Sequence, residues 1–328
     1  MGHKVVFLNP PTKKWKLEEV QYGVMVLDYQ PTLRGINKFP TVIRKLFSSR
    51  DILKIRTYLK LGDWDLVWSF DPFRFQNLEL FGSRRTIYHC VDWHKAPLEG
   101  AITKSADLVL TTSERLRKKL TAFLERHRIY NLGHGLAEHF VKHRPLYQIK
   151  DQIKVGLVGN LLYTFLDAQN LKLLIEKNPG IEFHFIGPYK EGPGYWYSEL
   201  LAMNNIFFYG PQKTNLLPSL MDEFHLFVIC YDTKKFKSHL DNPHKILEYL
   251  STGKVTVCHK IEEYGSDADL IEMVEDNKDL LARFQEVVKD ISHYNSSILM
   301  NRRRSFALQN TYRFKVDQIL NLLEKEHS

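Results

Sequence analysis

The sequence predicts an α/β protein made of two successive doubly wound domains. Three observations carry that expectation. Short apolar or β-branched runs alternate with amphipathic stretches from residue 4 onward, and the alternation starts afresh near Ile153. The 328 residues are enough for two domains of ordinary size. Residues 138–152 are polar, carry Pro145 and separate the two series, so they read as a linker.

In the first series, strands are expected at residues 4–8, 24–29, 66–70, 86–91, 108–112 and 129–132. Helices are expected at 72–81 and 114–124, the latter with Ser113 as N-cap. Residues 36–61 read as two basic amphipathic helices, with apolar positions such as Val42, Leu46 and Leu53 among Arg44, Lys45, Arg50 and Lys54. Such helices either lie on anionic lipid or pack on the sheet with solvated basic faces. In the second series, strands are expected at 154–158, 182–186, 206–209, 226–230, 255–258 and 270–274. The matching helices are 166–177, 196–203, 216–222, 244–251 and 278–291. Residues 295–328 are helical with a break at Gln309-Asn310-Thr311.

Composition narrows the function classes. A hydrophobic content of 44% excludes a disordered chain. Cys90, Cys230 and Cys258 all fall in expected strands; their odd number and irregular spacing fit neither a disulfide framework nor a zinc site, which points to a reducing cytosol. The opening residues enter a strand directly, with an apolar run too short for a signal peptide, and no apolar run approaches membrane-spanning length. The net charge of +8 is uneven: residues 1–150 hold 26 Lys and Arg against 14 Asp and Glu, the remainder 20 against 24. A basic N-terminal half implies either an anionic partner or simply a soluble basic domain. No helix-turn-helix, finger or RNA-recognition pattern supports nucleic acid as that partner.

The stretch most informative for function runs from Asn242 to Val257. Pro243 suits the first turn of a helix, Ile246, Leu247 and Leu250 give an apolar stripe, and Gly253 suits its end. Lys245 and Glu248 share a face near the helix N-terminus. Free N–H groups there can hold a phosphate, Lys245 adds a point charge, and Glu248 can accept hydrogen bonds from sugar hydroxyls. The alternative is a surface ion pair on an ordinary helix. Pro243-His244-Lys245-Ile246-Leu247-Glu248-Tyr249-Leu250-Ser251-Thr252-Gly253-Lys254-Val255 resembles the donor-nucleotide motif of GT-B glycosyltransferases, the group 1 enzymes of teichuronic acid, capsule and exopolysaccharide assembly in bacteria. Further likenesses are Leu132–Phe140 with Ala137 where Asp is usual, Lys154–Asn160, and Phe183–Pro188.

The resemblance implies the GT-B fold, two doubly wound Rossmann-like parallel-sheet domains facing a cleft. Residues 1–145 would bind the acceptor, 146–305 the nucleotide sugar, and 306–328 would be a helix crossing back to the N-terminal domain. It implies a donor site of Gly159, Asn160, Gly187, Tyr231, His244, Lys245 and Glu248, with Glu248 on the ribose and Lys245 near the phosphates. Two departures matter. Leu240 stands where many retaining relatives carry a second Glu, which favours inversion. Leu161-Leu162-Tyr163-Thr164 lacks the Arg and Lys common after the Gly159 turn, so more of the phosphate charge falls to Lys245. Asn9-Pro10-Pro11 likewise replaces a Gly-Gly loop after the first strand.

Asp92 and His94 come just past a strand end, where a carboxylate can take the proton of an acceptor hydroxyl; Asp92 is the first choice of base, His94 the reserve. Alternatively Asp92 caps the next helix. Asp63-Trp64-Asp65 reads as a turn rather than a metal motif, and the fourteen histidines show no paired metal spacing, so no metal or other cofactor is expected. The resulting expectation is a cytoplasmic glycosyltransferase, peripheral on the inner face of the cytoplasmic membrane if its basic half binds lipid. Its donor would be a nucleotide-diphosphate sugar, UDP-linked by resemblance, and its acceptor a hydroxyl of a surface polysaccharide or lipid-linked glycan. A sugar-nucleotide epimerase of the same fold and a basic non-enzymatic binding module are the alternatives.

Overall fold

The structure, a computed structural model, describes residues 3–60, 64–94, 96, 99–146, 152–236, 242–267 and 269–325. Asp63 and Leu240 lie outside the described residues. The chain groups into two compact units, Met1–Thr111 with Arg115–Asn131, and Thr112–Glu114 with Leu132–Ser328.

The first unit opens with β1 (Val5–Leu8), β2 (Lys16–Gln21) and β3 (Val24–Asp28), ordered β1-β3-β2. β1 and β3 are parallel, whereas β2 returns antiparallel to β3. The sequence gives no hint of β2, because all six of its residues are exposed and burial writes no alternation into it. A single helix, α1 (Thr41–Leu59), replaces the two expected in residues 36–61. The hydroxyls of Ser48 and Ser49 donate to the Lys45 carbonyl at 3.1 and 2.7 Å, so the serines that resemble a break are satisfied inside the helix.

A second sheet holds β4 (Leu66–Ser69), β5 (Arg85–Cys90), β6 (Leu108–Thr111) and β7 (Ile129–Asn131) in sequential, all-parallel order. Its helices are α2 (Glu99–Lys104) and α3 (Glu114–Leu120). The helix expected at 72–81 is only a 3-10 turn at Leu78–Phe81. The Asp71 carboxylate accepts from the Phe73 N–H at 2.7 Å, and this local bond favours a turn over a helical start. Leu27, Ile52, Ile55, Leu78, Val109 and Ile129 form the core.

The second unit begins with α4 (Glu138–Lys142), which buries Phe140 within the stretch expected to be linker. Then come β8 (Lys154–Val158), α5 (Ala168–Glu176), β9 (Glu182–Ile186), β10 (Ile206–Phe208), α6 (Leu217–Met221) and β11 (Leu226–Ile229). After them run α7 (Thr233–Phe236), α8 (Lys245–Ser251), β12 (Val255–His259), β13 (Glu272–Val274), α9 (Leu280–Lys289) and α10 (Ile291–Tyr294). The helix expected at 196–203 reduces to a 3-10 turn, Leu200–Ala202. Tyr197 is fully buried there, its hydroxyl accepting from the Lys190 N–H, so aromatic packing rather than a helix fixes this segment. The sheet order is β10-β9-β8-β11-β12-β13, all parallel. That order reverses between β8 and β11, and parallel sheets bind ligands outside the carboxyl ends of strands at such a switch point.

The chain closes with α11 (Ser297–Gln309) and α12 (Tyr312–Lys325), divided at the break read from sequence. There Leu136 accepts from the Tyr312 N–H and donates to the Asn310 carbonyl, which turns the backbone. From α11, the fully buried Arg303 donates to the carbonyls of Gly253, Leu270 and Tyr294, and burial lowers its pKa to about 10. Arg304 donates to the Ser251 carbonyl. Cations thus meet the carboxyl end of α8, where the helix dipole is negative, and hold it in place.

Candidate functional site

Two glycine turns stand at the switch point. Gly159 follows β8 with φ +155°, and a Cβ there would sit 2.1 Å from the Lys245 Nζ. Gly187 follows β9 with φ +145°, and its Cβ would fall 1.9 Å from the Gly159 carbonyl oxygen. The second clash is with backbone, so no side chain can move to relieve it. The Gly159 N–H donates to the Ile186 carbonyl at 2.8 Å, and the Asn160 Oδ1 accepts from the Leu162 N–H at 3.0 Å. These bonds fix a tight turn with an ammonium directly against it.

Tyr231 lies beyond β11. Its hydroxyl is 3.2 Å from the Lys245 Nζ and its ring packs edge-on against Phe165 at 5.1 Å. The Tyr231 carbonyl accepts from Asn277 Nδ2 at 2.7 Å, and the same amide donates to Asp167 at 2.6 Å. The Tyr231 N–H donates to His259 Nδ1 at 3.4 Å, and burial pulls the His259 pKa down to about 4, so that ring is neutral and can accept. Tyr249 fastens α8 to the end of β8: its hydroxyl accepts from the Val158 N–H at 2.9 Å and donates to the Val158 carbonyl at 3.3 Å.

Lys245 and Glu248 do not form the surface ion pair open to them; among the described residues the Glu248 carboxyl makes no hydrogen bond or ion pair. Burial pushes its carboxyl up to about 7, against the pull of the Lys245 charge. α8 itself has only seven residues and begins at Lys245, so positive charge here comes from the ammonium more than from a helix end. His244 is exposed just ahead of α8, makes no side-chain cap, and its ring lies 6.1 Å from that of His134.

Gly159, Asn160, Tyr231 and Lys245 therefore line one small cavity, with Gly187 supporting the turn from behind. Glu248 is one helical turn further along α8. Asp92 and His94 belong to the first unit, past β5, and both are exposed. The Asp92 carboxylate makes no hydrogen bond among the described residues, so it caps no described helix. The Cys90 Sγ donates to the Asp92 carbonyl at 3.6 Å, and the Tyr88 hydroxyl bonds the buried Glu99, whose carboxyl burial pushes up. This buried group holds the β5 end that presents Asp92. Sequence reasoning passes over Tyr249, Asn277, Asp167 and Glu99. Tyr249 had a signal, its place inside the Lys245–Glu248 motif. Asp167 and Asn277 are 110 positions apart and offer none.

Among the described residues, no three or more His, Cys, Asp or Glu gather as metal ligands, and no helix is long and apolar enough to cross a membrane.

No family model matches the chain. Among curated proteins it is similar to TuaH of Bacillus subtilis (strain 168), which is named for teichuronic acid biosynthesis as a glycosyltransferase, with 24% identity over 206 residues. The match covers 54% of this chain and 51% of TuaH, so the chain spans about half the length of that relative. Three solved structures extend the likeness to the whole chain. Sucrose-phosphate synthase from Thermosynechococcus elongatus has a TM-score of 0.70 and 12% identity, covering 99% of this chain and 89% of that one. A UDP-forming trehalose-phosphate synthase from Burkholderia xenovorans gives 0.68 and 11%, covering 99% and 100%. Anabaena HepE, solved with UDP and glucose, gives 0.63 and 14%, covering 98% and 99%. Two α/β units, a second sheet that reverses at β8 and β11, and near-complete superposition on these enzymes together give the chain the GT-B fold.

Proposed function

We infer that the protein is a glycosyltransferase that moves a sugar from a UDP-sugar to a hydroxyl of a cell-surface polysaccharide or lipid-linked glycan precursor. The observation that carries this reading is the Lys245 ammonium held against the Gly159 turn at the sheet's switch point, with an unpartnered Glu248 carboxyl one turn away. The second unit takes the donor. Lys245 stabilises the departing diphosphate without a metal, and the carboxylate of Glu248 accepts from ribose hydroxyls. His244, which precedes Lys245 and is exposed, would assist in holding the donor. The choice of UDP is supported by the UDP held in HepE and by the UDP-forming synthase; the surface-glycan acceptor is supported by the name of TuaH.

The first unit takes the acceptor and supplies the base. As the bond between the anomeric carbon and the diphosphate oxygen breaks, the acceptor oxygen bonds that carbon and its proton passes to Asp92. Asp92→Asn keeps the shape of the side chain but cannot take the proton, so turnover should fall by about two to four orders of magnitude while nucleotide affinity stays parental. His94→Ala should do less. The reverse ranking would make His94 the base. The reaction sits on the cytosolic side, where nucleotide sugars are made, with α1 resting on the membrane that carries the lipid-linked acceptor.

Incubation with UDP-sugars tests the reading, with and without lipid-linked glycan extracts. Transfer of label that requires the acceptor is the expected result. Conversion of UDP-GlcNAc to an isomer without acceptor would instead identify an epimerase, and salt-sensitive nucleic-acid binding without nucleotide binding would identify a binding module.

A further inference from the structure

A cavity of about 580 Å³ opens within the first unit, at the carboxyl ends of β1, β3 and β4. Its lining shares no residue with the Lys245 cavity and does not include Asp92. Pro11, Thr12 and Lys13 form one wall, and the loop that leads into them is tied down: Asn9 Nδ2 donates to Asp28 at 2.7 Å and the Asn9 carbonyl accepts from Arg74 at 3.0 Å. Arg74 also pairs with Asp71 at 3.3 Å and lies 5.9 Å from the Tyr29 and Phe75 ring centres. This packing fixes the guanidinium on the cavity lining. At the mouth stand Lys13 and Arg34, both exposed and neither in an ion pair among the described residues. Deeper in, Asp51 is buried; one carboxylate oxygen accepts from the Thr32 N–H at 2.7 Å, and no bond to the other is made among the described residues. Phe73 offers a ring face on the same lining, and that ring lies 5.6 Å from the ring of His94.

These groups sort by chemistry. Unpaired cations at the rim suit an oxyanion. A buried carboxylate with an open lone pair suits a hydroxyl donor, and the half-buried ring of Phe73 suits the C–H face of a sugar ring. The volume is that of a small-molecule pocket. We propose that this cavity binds a saccharide carrying a phosphate or carboxylate, with its oxyanion on Lys13 and Arg34, a ring hydroxyl on Asp51 and its ring against Phe73. Resting on the glycosyltransferase reading, the occupant is the acceptor end of the transfer, so the preferred acceptor is anionic.

Binding to the full chain, measured by saturation-transfer NMR and calorimetry, tests this with four probes: a hexose 6-phosphate, a hexuronic acid, the neutral hexose and inorganic phosphate. At least one anionic sugar should bind about tenfold or more tightly than both the neutral hexose and inorganic phosphate, and the winner tells phosphate from carboxylate. Lys13→Gln with Arg34→Gln, both on exposed side chains, should remove that preference and leave the unfolding temperature unchanged. Asp51→Asn should weaken the anionic and the neutral sugar equally. Equal binding of charged and neutral sugars, or no sugar binding at all, overturns the proposal. So does phosphate alone matching the sugar phosphate. UDP binding is read on the same samples: its absence would sink the transferase reading while leaving the cavity result standing.

Discussion

Glu248 is the residue whose state reports most on function. A carboxyl that is mostly buried and makes no bond disfavours its own charge, and its pKa rises from 4.5 to about 7. A folded pKa above the unfolded one means the native state holds the proton more tightly. The stability tied to Glu248 is thus fully present below pH about 4.5 and lost as pH climbs through about 7. Glu248→Gln should flatten the pH dependence of the unfolding temperature and raise it at pH 8 relative to the parent. Ligand binding should run the other way. Ribose hydroxyls that donate to the carboxylate favour its ionised form, so affinity for UDP-glucose should rise with pH through about 7 in the parent and not in Glu248→Gln. A parent and variant with matching pH profiles would take the ribose role from Glu248. At this scale the sequence was most legible where the chemistry is local. The spacing of Lys245 and Glu248 showed that they share a helix face but left an ordinary ion pair open, and the crowding of Lys245 against Gly159 depends on how β8 and α8 pack and left no local trace.

Among the elements, α1 carries a separate claim. One side packs on the core through Ile52, Ile55 and Leu59. On the other, Val42, Leu46 and Leu53 recur at helical spacing and are 80%, 66% and 60% exposed. Lys45, Arg50 and Lys54 flank them, exposed and without ion pairs among the described residues. Exposed aliphatic side chains edged by cations are the pattern of a helix lying on anionic lipid. Arg44 does not belong to that edge, since its Nε donates to the Phe39 carbonyl at 2.6 Å. Changing Lys45, Arg50 and Lys54 together to Gln should reduce co-sedimentation with phosphatidylglycerol vesicles, and high salt should do the same to the parent. A parent that ignores such vesicles would remove the membrane role. The basic character of α1 was legible in sequence, whereas the expected amphipathic division was not met, since apolar residues stand on both its core side and its exposed side; its continuity was not legible either, because Ser48-Ser49 resembles a break unless the serines bond back to Lys45. β2 was invisible for the opposite reason, since an exposed strand leaves no alternation to read.

For the whole molecule, alternation of strand and helix sufficed to predict two α/β units, because every buried parallel strand needs an apolar run and every crossover a helix. The order of the strands in the second sheet was not legible, since parallel neighbours are set by long-range pairing. That order is what turns separate motifs into a site: it brings the Gly159 turn, Tyr231 and Lys245 to the place where the sheet reverses. The central claim is that this place holds a nucleotide diphosphate. Calorimetric titration of UDP into the parent and into Lys245→Ala tests it most directly. The parent should bind, and the variant should bind about tenfold or more weakly, a loss of about 1.4 kcal/mol or more, with its unfolding temperature in the absence of ligand unchanged. A parent that binds neither UDP nor GDP, or a Lys245→Ala variant that binds as the parent does, would contradict it.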